Sequence, residues 1–214
     1  GALGNVLVNQ DPPGAIQNSP SIVRDPATGN LVVTYTENPF APAGIGGSFS
    51  LGGVGPWSPS SFLPPVTGWF GNQMDASVVA DGAGFVYAGL ASYDQLAPQG
   101  MRSGIFVHAS INGGVAYGAP APVSLQLGPP GSLPFEIKPK IEADDNATSS
   151  YFRRVYCTWE RDITDWIHSN ACFSASPPGG NVWSPPLVVN DRPGLDFVLW
   201  PDPAVAPNGD VCVG

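Results

Sequence analysis

The feature that most restricts what this chain can fold into is that it repeats itself, at intervals of roughly sixty residues. The segments SPSIVRDPATGNLVVTY from Ser19, DASVVADGAGFVYAG from Asp75, KPKIEADDNATSSYFRRVYCTW from Lys138 and DPAVAPNGDVCVG from Asp202 share one grammar. Each runs from a short apolar stretch through a turn rich in Asp, Asn and Gly into a β-branched or aromatic stretch, the signature of two antiparallel strands. Taking Pro20, Ala76, Pro139 and Pro203 as equivalent gives spacings of 56, 63 and 64 residues. A third strand and a second turn follow in each unit, ending on an aromatic at Trp57, Tyr117 and Trp183. Fourth strands come next, at Ala121–Leu125 and Pro186–Asn190, and the opening Asn5–Asn9 copies the latter.

The chain therefore reads as all-β, a propeller of four-stranded antiparallel blades. Residues 1–10 are the outer strand of a preceding blade; 18–66, 73–126 and 136–190 are blades; 200–214 begin a further one. Joining the leftover strands would give a four-bladed ring with a strand missing, which leaves unpaired edges. The expectation is a portion of a six- or seven-bladed ring, closed by the remainder of its own propeller or by another chain, with an apolar exposed flank.

Three of the turns carry a recognisable motif. Ser110-Ile111-Asn112-Gly113-Gly114-Val115-Ala116-Tyr117 resembles the Asp-box, or bacterial neuraminidase repeat, S-x-D-x-G-x-T-W, of sialidase-like propellers. Ser176 to Trp183 matches its Ser, Gly (Gly180) and Trp positions with Pro178 at the Asp position, and Ser50 to Trp57 is a looser copy with shifted glycines. The resemblance implies turns between third and fourth strands, with Ser110, Asn112, Gly114, Ser176 and Gly180 shaping the turn. It also implies that Trp57, Tyr117 and Trp183 pack between blades. It further implies a ligand site where the innermost strands begin. The family's carboxylate-gripping Arg-Ile-Pro element has Asn18-Ser19-Pro20 as its nearest counterpart, without the arginine.

In a four-stranded meander, the start of strand one and the loop after strand two share a face. The residues so placed are Asn18, Gln73, Asp75, Glu136, Lys138, Trp200 and Asp202, joined by Glu37, Asn38, Tyr93, Asp94, Glu160, Arg161, Asp162, Asp165 and Trp166. Carboxylates for hydroxyls or acid/base work, together with indole faces, suit a carbohydrate. Ligand contacts are expected from Trp200, Trp166, Arg161, Asn18, Asp75, Asp202, Tyr93 and Asp94. If there is catalysis, its carboxylates come from Asp75, Asp202 and Glu136. Asp and Glu at strand ends also bond turn backbone, and that reading stands beside each.

Eight basic against seventeen acidic residues, a net charge of −9, oppose nucleic acid and anionic membranes. No apolar run reaches the ~20 residues of a membrane span. Scarce lysine and the sequon Asn146-Ala147-Thr148 fit a secreted or cell-surface protein meeting a glycan or an extracellular protein. Cys157, Cys172 and Cys212 match no zinc spacing, and no metal ligand set is expected; Asp144 with Asp145 would serve calcium or, alternatively, a solvated turn. Cys157 and Cys172 lie in strand-like runs that could pair in a hairpin. They are expected either as a cross-strand disulfide or as two buried thiols. Three readings follow: glycan or protein recognition without bond cleavage, a glycoside hydrolase or lyase, and a structural or adhesion scaffold.

Overall fold

The computed structural model describes residues 8, 16–37, 43–69, 72–96, 100–128, 135–163 and 167–214. The outer strand expected near residues 1–10 lies outside them, apart from Val8. Among the described residues, fourteen strands form three four-stranded sheets and one hairpin. The first sheet holds β1 (Gln17–Arg24), β2 (Leu31–Glu37), β3 (Gly44–Ser50) and β4 (Ser61–Phe62). The second holds β5 (Asn72–Ala80), β6 (Val86–Leu96), β7 (Gly100–Ser110) and β8 (Ala121–Gly128). The third holds β9 (Phe135–Ala143), β10 (Val155–Asp162), β11 (Ser169–Ser176) and β12 (Leu187–Val188); β13 (Pro203–Val205) pairs with β14 (Val211–Val213). Strand order follows the sequence in every sheet, and all pairing is antiparallel. Among the described residues the only helical element is a 3₁₀ turn at Leu51–Gly53, so no helix is long and apolar enough to cross a membrane.

The sheets stack as blades. β1 packs on β5, β5 on β9 and β9 on β13, so successive inner strands are neighbours although they share no ladder. Apolar burial lies between blades. One cluster joins Tyr87, Ile105 and Val107 of the second blade to Ile141, Val155 and Trp159 of the third. Others join Ile45 to Leu90 and Val32 to Val78 across the first and second blades. This separates the fold from a two-sheet sandwich, in which both inner faces would share one core. The second strands are buried on both faces, which is why LVVTY in β2 and VYCTW in β10 read as continuous apolar runs.

The inner strands β1, β5 and β9 carry the same irregularity. The ladder slips between Asn18 and Ser21 in β1, between Met74 and Ser77 in β5, and opposite Thr158 and Glu160 in β9. The residue at each bulge has left-handed backbone although none is glycine: Ser19 at φ 48°, Asp75 at 60°, Lys138 at 52°. Trp200, at 49° and ahead of β13, shares that backbone conformation. The equivalence with Pro203 is thereby corrected. The proline that follows the left-handed residue is Pro201, as Pro20 follows Ser19 and Pro139 follows Lys138, while Pro203 already pairs with Val213 inside β13.

Six residues after each of these three bulges stands a fully buried aspartate, Asp25, Asp81 or Asp144, that gathers the following turn. Asp25 accepts the Ala27 and Thr28 amides, Asp81 the Ala83 and Phe85 amides, and Asp144 the Asn146 amide and the Ser149 hydroxyl. Both carboxylate oxygens of Asp144 thus hold its own turn, while Asp145 beside it is exposed.

The third-to-fourth-strand turns lie on the opposite face from the loops after the second strands. Ser110 Oγ accepts the Gly114 amide at 3.0 Å and Asn112 Oδ1 accepts the Ala116 amide at 3.0 Å. Gly114, at φ +83°, lies directly on Val32 of the preceding blade. In the third blade Trp183 Nε1 donates to Gly180 O at 3.0 Å and its ring packs on the inter-blade cluster. Trp57 bridges back to Ser50, and Tyr117 packs edge-on to His108.

Cys157 and Cys172 lie on neighbouring strands of one blade but out of register: Cys157 faces Ser174, and Cys172 faces Trp159. That two-residue offset is a diagonal, roughly 7–8 Å between Cα atoms, too far for a disulfide. Both are buried free thiols, correcting the disulfide expectation, and Cys212 is an exposed one. Burial pushes the Cys157 thiol up and Cys172 up to about 12.

On the outer flank of β1, Ile22 is 59% exposed, whereas Val78 and Ile141, at the same place in β5 and β9, are covered by the blade before them. No sheet among the described residues combines strands from both ends of the chain.

Candidate functional site

The bulges converge. A cavity of about 450 Å³ is lined by Ser19 and Pro20 from β1, Asp75 and Ala76 from β5, and Lys138, Pro139 and Lys140 from β9. Trp200 and Asp202 complete it beside β13. A bulge turns a side chain out of the alternation of its strand and frees the backbone amide behind it. These freed amides are caught by the blade before: the Asp75 amide donates to Thr36 Oγ1 at 2.9 Å and the Lys138 amide to Asp75 Oδ2 at 3.1 Å. Three residues on, Val78 N donates to Ser21 Oγ and Ile141 N to Ser77 Oγ, at 3.0 and 3.2 Å. Left-handed backbone at a non-glycine residue costs on the order of 1–3 kcal/mol and survives where its surroundings over-determine it; these rivets supply that determination.

The polar groups of the cavity are coupled. Lys138 Nζ donates to Glu160 Oε2 at 3.0 Å and stands 5.3 Å from the Trp200 ring centroid, a cation–π contact. The indole is 60% exposed, so a face stays open to a ligand. Burial raises the Asp75 pKa above the ordinary aspartate value; the Lys138 amide and the charges of Lys138 and Lys140 oppose it. Glu160, fully buried as a residue, is likewise raised by burial, with the Lys138 bond opposing. Asp202 is exposed, and its backbone pairs with Gly214 in both directions. The site therefore combines a half-buried carboxylate, Asp75, an open one, Asp202, two ammonium groups and an aromatic platform.

Of the residues expected to contact a ligand, Asp75, Trp200 and Asp202 meet here. Others are spent elsewhere. Glu136 is fully buried and ion-paired with Arg161 at 2.8 Å; the same Oε1 accepts Ser124 Oγ and Gln126 Nε2, each at 3.0 Å. Asp94 is buried against Arg102 at 2.6 Å, and that guanidinium lies 4.5 Å over Trp69. Glu136, expected as a catalytic carboxylate, and Arg161 and Asp94, expected at a ligand, stand instead in ion pairs within their blades. Tyr93 packs edge-on to Phe135 at 5.3 Å. Asn18 lines a separate cleft with Val8, Gln17 and Tyr35. Trp166, with Asp165 and Asn38, lies outside the described residues. Sequence reasoning missed Ser19 and Lys140 as cavity residues. The signal was the Ser-Pro, Lys-Pro and Trp-Pro pairs, which mark the left-handed positions once aligned on one another.

No protein-family model matches the sequence, and no curated protein matches it. Solved structures do. The α-L-arabinanase of Penicillium chrysogenum, solved with arabinobiose, aligns with a TM-score of 0.66 at 15% identity over 98% of this chain and 60% of its own. A Hadza microbial sialidase aligns at 0.56 and 16% identity over 78% of this chain and 36% of its own. The shared fold is the β-propeller. A thermostable family-43 glycoside hydrolase matches this propeller chain too, at 0.55 and 13% identity over 92% of the chain and 65% of its own. The chain spans between about a third and two thirds of these three structures.

Proposed function

We propose that this propeller is exported and recognises a glycan in the axial cavity without cleaving it. The observation that carries the reading is what four equivalent left-handed positions present to one space: a hydroxyl from Ser19, a carboxylate from Asp75, an ammonium from Lys138 and an indole from Trp200. That is a recognition set, with donors, acceptors and a stacking face; these four positions hold one carboxylate where bond cleavage by two carboxyl groups needs a matched pair, and Asp202 is the other acid on the cavity wall. Glu160 of β10 is ion-paired with Lys138. The glycosidase propellers that share the fold lend support to a saccharide as ligand.

A second reading rests on Asp202. Asp75 and Asp202 border the same cavity in unlike surroundings, one desolvated and raised, the other open to water, and such a contrast is how glycosidases separate acid from base. A glycan array followed by calorimetry, run with a hydrolysis screen on the same saccharides, tests both. Binding that Trp200→Ala removes, without turnover, supports recognition. Turnover abolished by Asp75→Asn overturns it in favour of hydrolysis, and neither binding nor turnover leaves the propeller as a scaffold.

A further inference from the structure

We infer that the axial cavity takes a neutral saccharide and turns away acidic ones such as sialic or uronic acids; this rests on the glycan reading above. The argument is an inventory of cations. The chain has eight basic residues, and only Lys138 and Lys140 line the cavity. Arg102, Arg153 and Arg161 are held by Asp94, Asp81 and Glu136 within 2.9 Å. Arg192 pairs with Asp196, Arg154 lies over Tyr151, and Arg24 closes the far end of β1. No guanidinium of this chain therefore lines the cavity, and gripping a sugar carboxylate from two sides is guanidinium work.

The two ammonium groups are already answered. Lys138 is bound to Glu160, and Lys140 acts on Asp75, whose carboxyl group it helps to keep ionised. Two ammonium groups thus face three carboxylates, Asp75, Glu160 and Asp202, an excess of one negative charge before any ligand arrives. A carboxylate-bearing sugar would meet that excess in a partly desolvated space. Neutral hydroxyls, each both donor and acceptor, meet Asp75 and Asp202 as acceptors and the lysines as donors, while a pyranose or furanose face lies on Trp200.

Calorimetry of the full chain against arabinobiose and a neutral hexose disaccharide, beside 3′-sialyllactose and a galacturonic acid dimer, tests this at low ionic strength. The neutral class is expected to bind at least about tenfold more tightly. Asp202→Lys, an exposed position whose backbone pairing is untouched, changes the excess from one negative to one positive charge. It is expected to bring the acidic sugars level with, or above, the neutral ones; circular dichroism checks that the variant is folded. Acidic sugars bound as tightly as neutral ones by the parent chain would overturn this inference and leave the glycan reading standing. A folded Asp202→Lys that gains nothing for acidic sugars would overturn the charge argument. Binding of neither class would overturn the glycan reading itself.

Discussion

Replacing Arg161 by methionine separates an ion pair that holds a blade together from a residue that waits for a ligand. The substitution keeps an unbranched stem and removes the charge, so Glu136 loses its cationic partner Arg161. Glu136 is fully buried, and its Oε2 has no hydrogen-bond partner among the described residues, so what stabilises the carboxylate is gathered on Oε1. Breaking a buried pair from one side costs about 3–5 kcal/mol. Ser124 and Gln126 remain on Oε1, which places the expected loss near the lower end, about 3 kcal/mol. For a chain of this size that corresponds to roughly 6–12 °C in Tm. The effect has a pH signature. Burial already raises the Glu136 pKa above its ordinary value despite Arg161, and the variant raises it further. A carboxyl group whose folded pKa is raised contributes stability that is fully present below its unfolded value and is lost as pH rises through the folded value. The deficit of Arg161→Met should therefore be largest at neutral pH and shrink on acidification toward the ordinary glutamate range, measured by urea unfolding at a series of pH values. The double variant Arg161→Met, Glu136→Gln should recover most of the loss, because no charge is left stranded. A single variant within about 1 kcal/mol of the parent at neutral pH, or a double variant showing the sum of two losses, refutes the reasoning.

Gly114→Ala should destabilise by about 2–5 kcal/mol, read from the urea midpoint, since the left-handed backbone penalises a Cβ and that atom would strike Val32. Trp200→Gly should weaken saccharide binding roughly ten- to a hundredfold in calorimetry while changing stability by less than about 1 kcal/mol, because the indole is exposed and glycine relieves its positive φ. A thiol reagent should label one cysteine in the folded chain, Cys212, and three in denaturant, with no change in mobility on reduction. Ile141→Ala should cost about 2–5 kcal/mol and Ile22→Ala less than about 1 kcal/mol in these 214 residues by thermal unfolding, since the first is covered by a blade and the second is not.

The blades were legible because their signals are local. Turn residues and β-branched runs recur at one spacing, and the second strands advertise burial on both faces. What was not legible is where a short-range rule is overridden by a neighbour. Glu136 and Arg161 both sit at strand ends on the expected ligand face, yet they stand directly opposite each other in the β9–β10 ladder, and a carboxylate beside a guanidinium in a buried register pairs with it. Register also decided the cysteines, since one strand shifted by two residues would have placed them face to face. For the fourth repeat, Asp202-Pro203 resembles a strand start as well as Trp200-Pro201 does, and only the backbone angle distinguishes them.

The bulge explains why the site and the misreading coincide. Strict alternation along β9 puts Glu136, Lys138 and Lys140 on one face, whereas in the fold Glu136 is turned into a blade-internal pair and the two lysines reach the cavity. The slip that separates them falls between Ile137 and Lys140, and it is held by Asp75 of the preceding blade, a contact some sixty residues away in sequence. A non-glycine residue at positive φ has no local reason to be there; four of them facing one cavity have a common one, which is to carry side chains that the regular strand would have pointed elsewhere. Placing Asp75 there also explains its double duty: the carboxylate that fixes the Lys138 amide is the one offered to a ligand, so Asp75→Ala should loosen the next blade's lysine as well as the saccharide, whereas Asp75→Asn, keeping an acceptor oxygen, should spare the backbone contact.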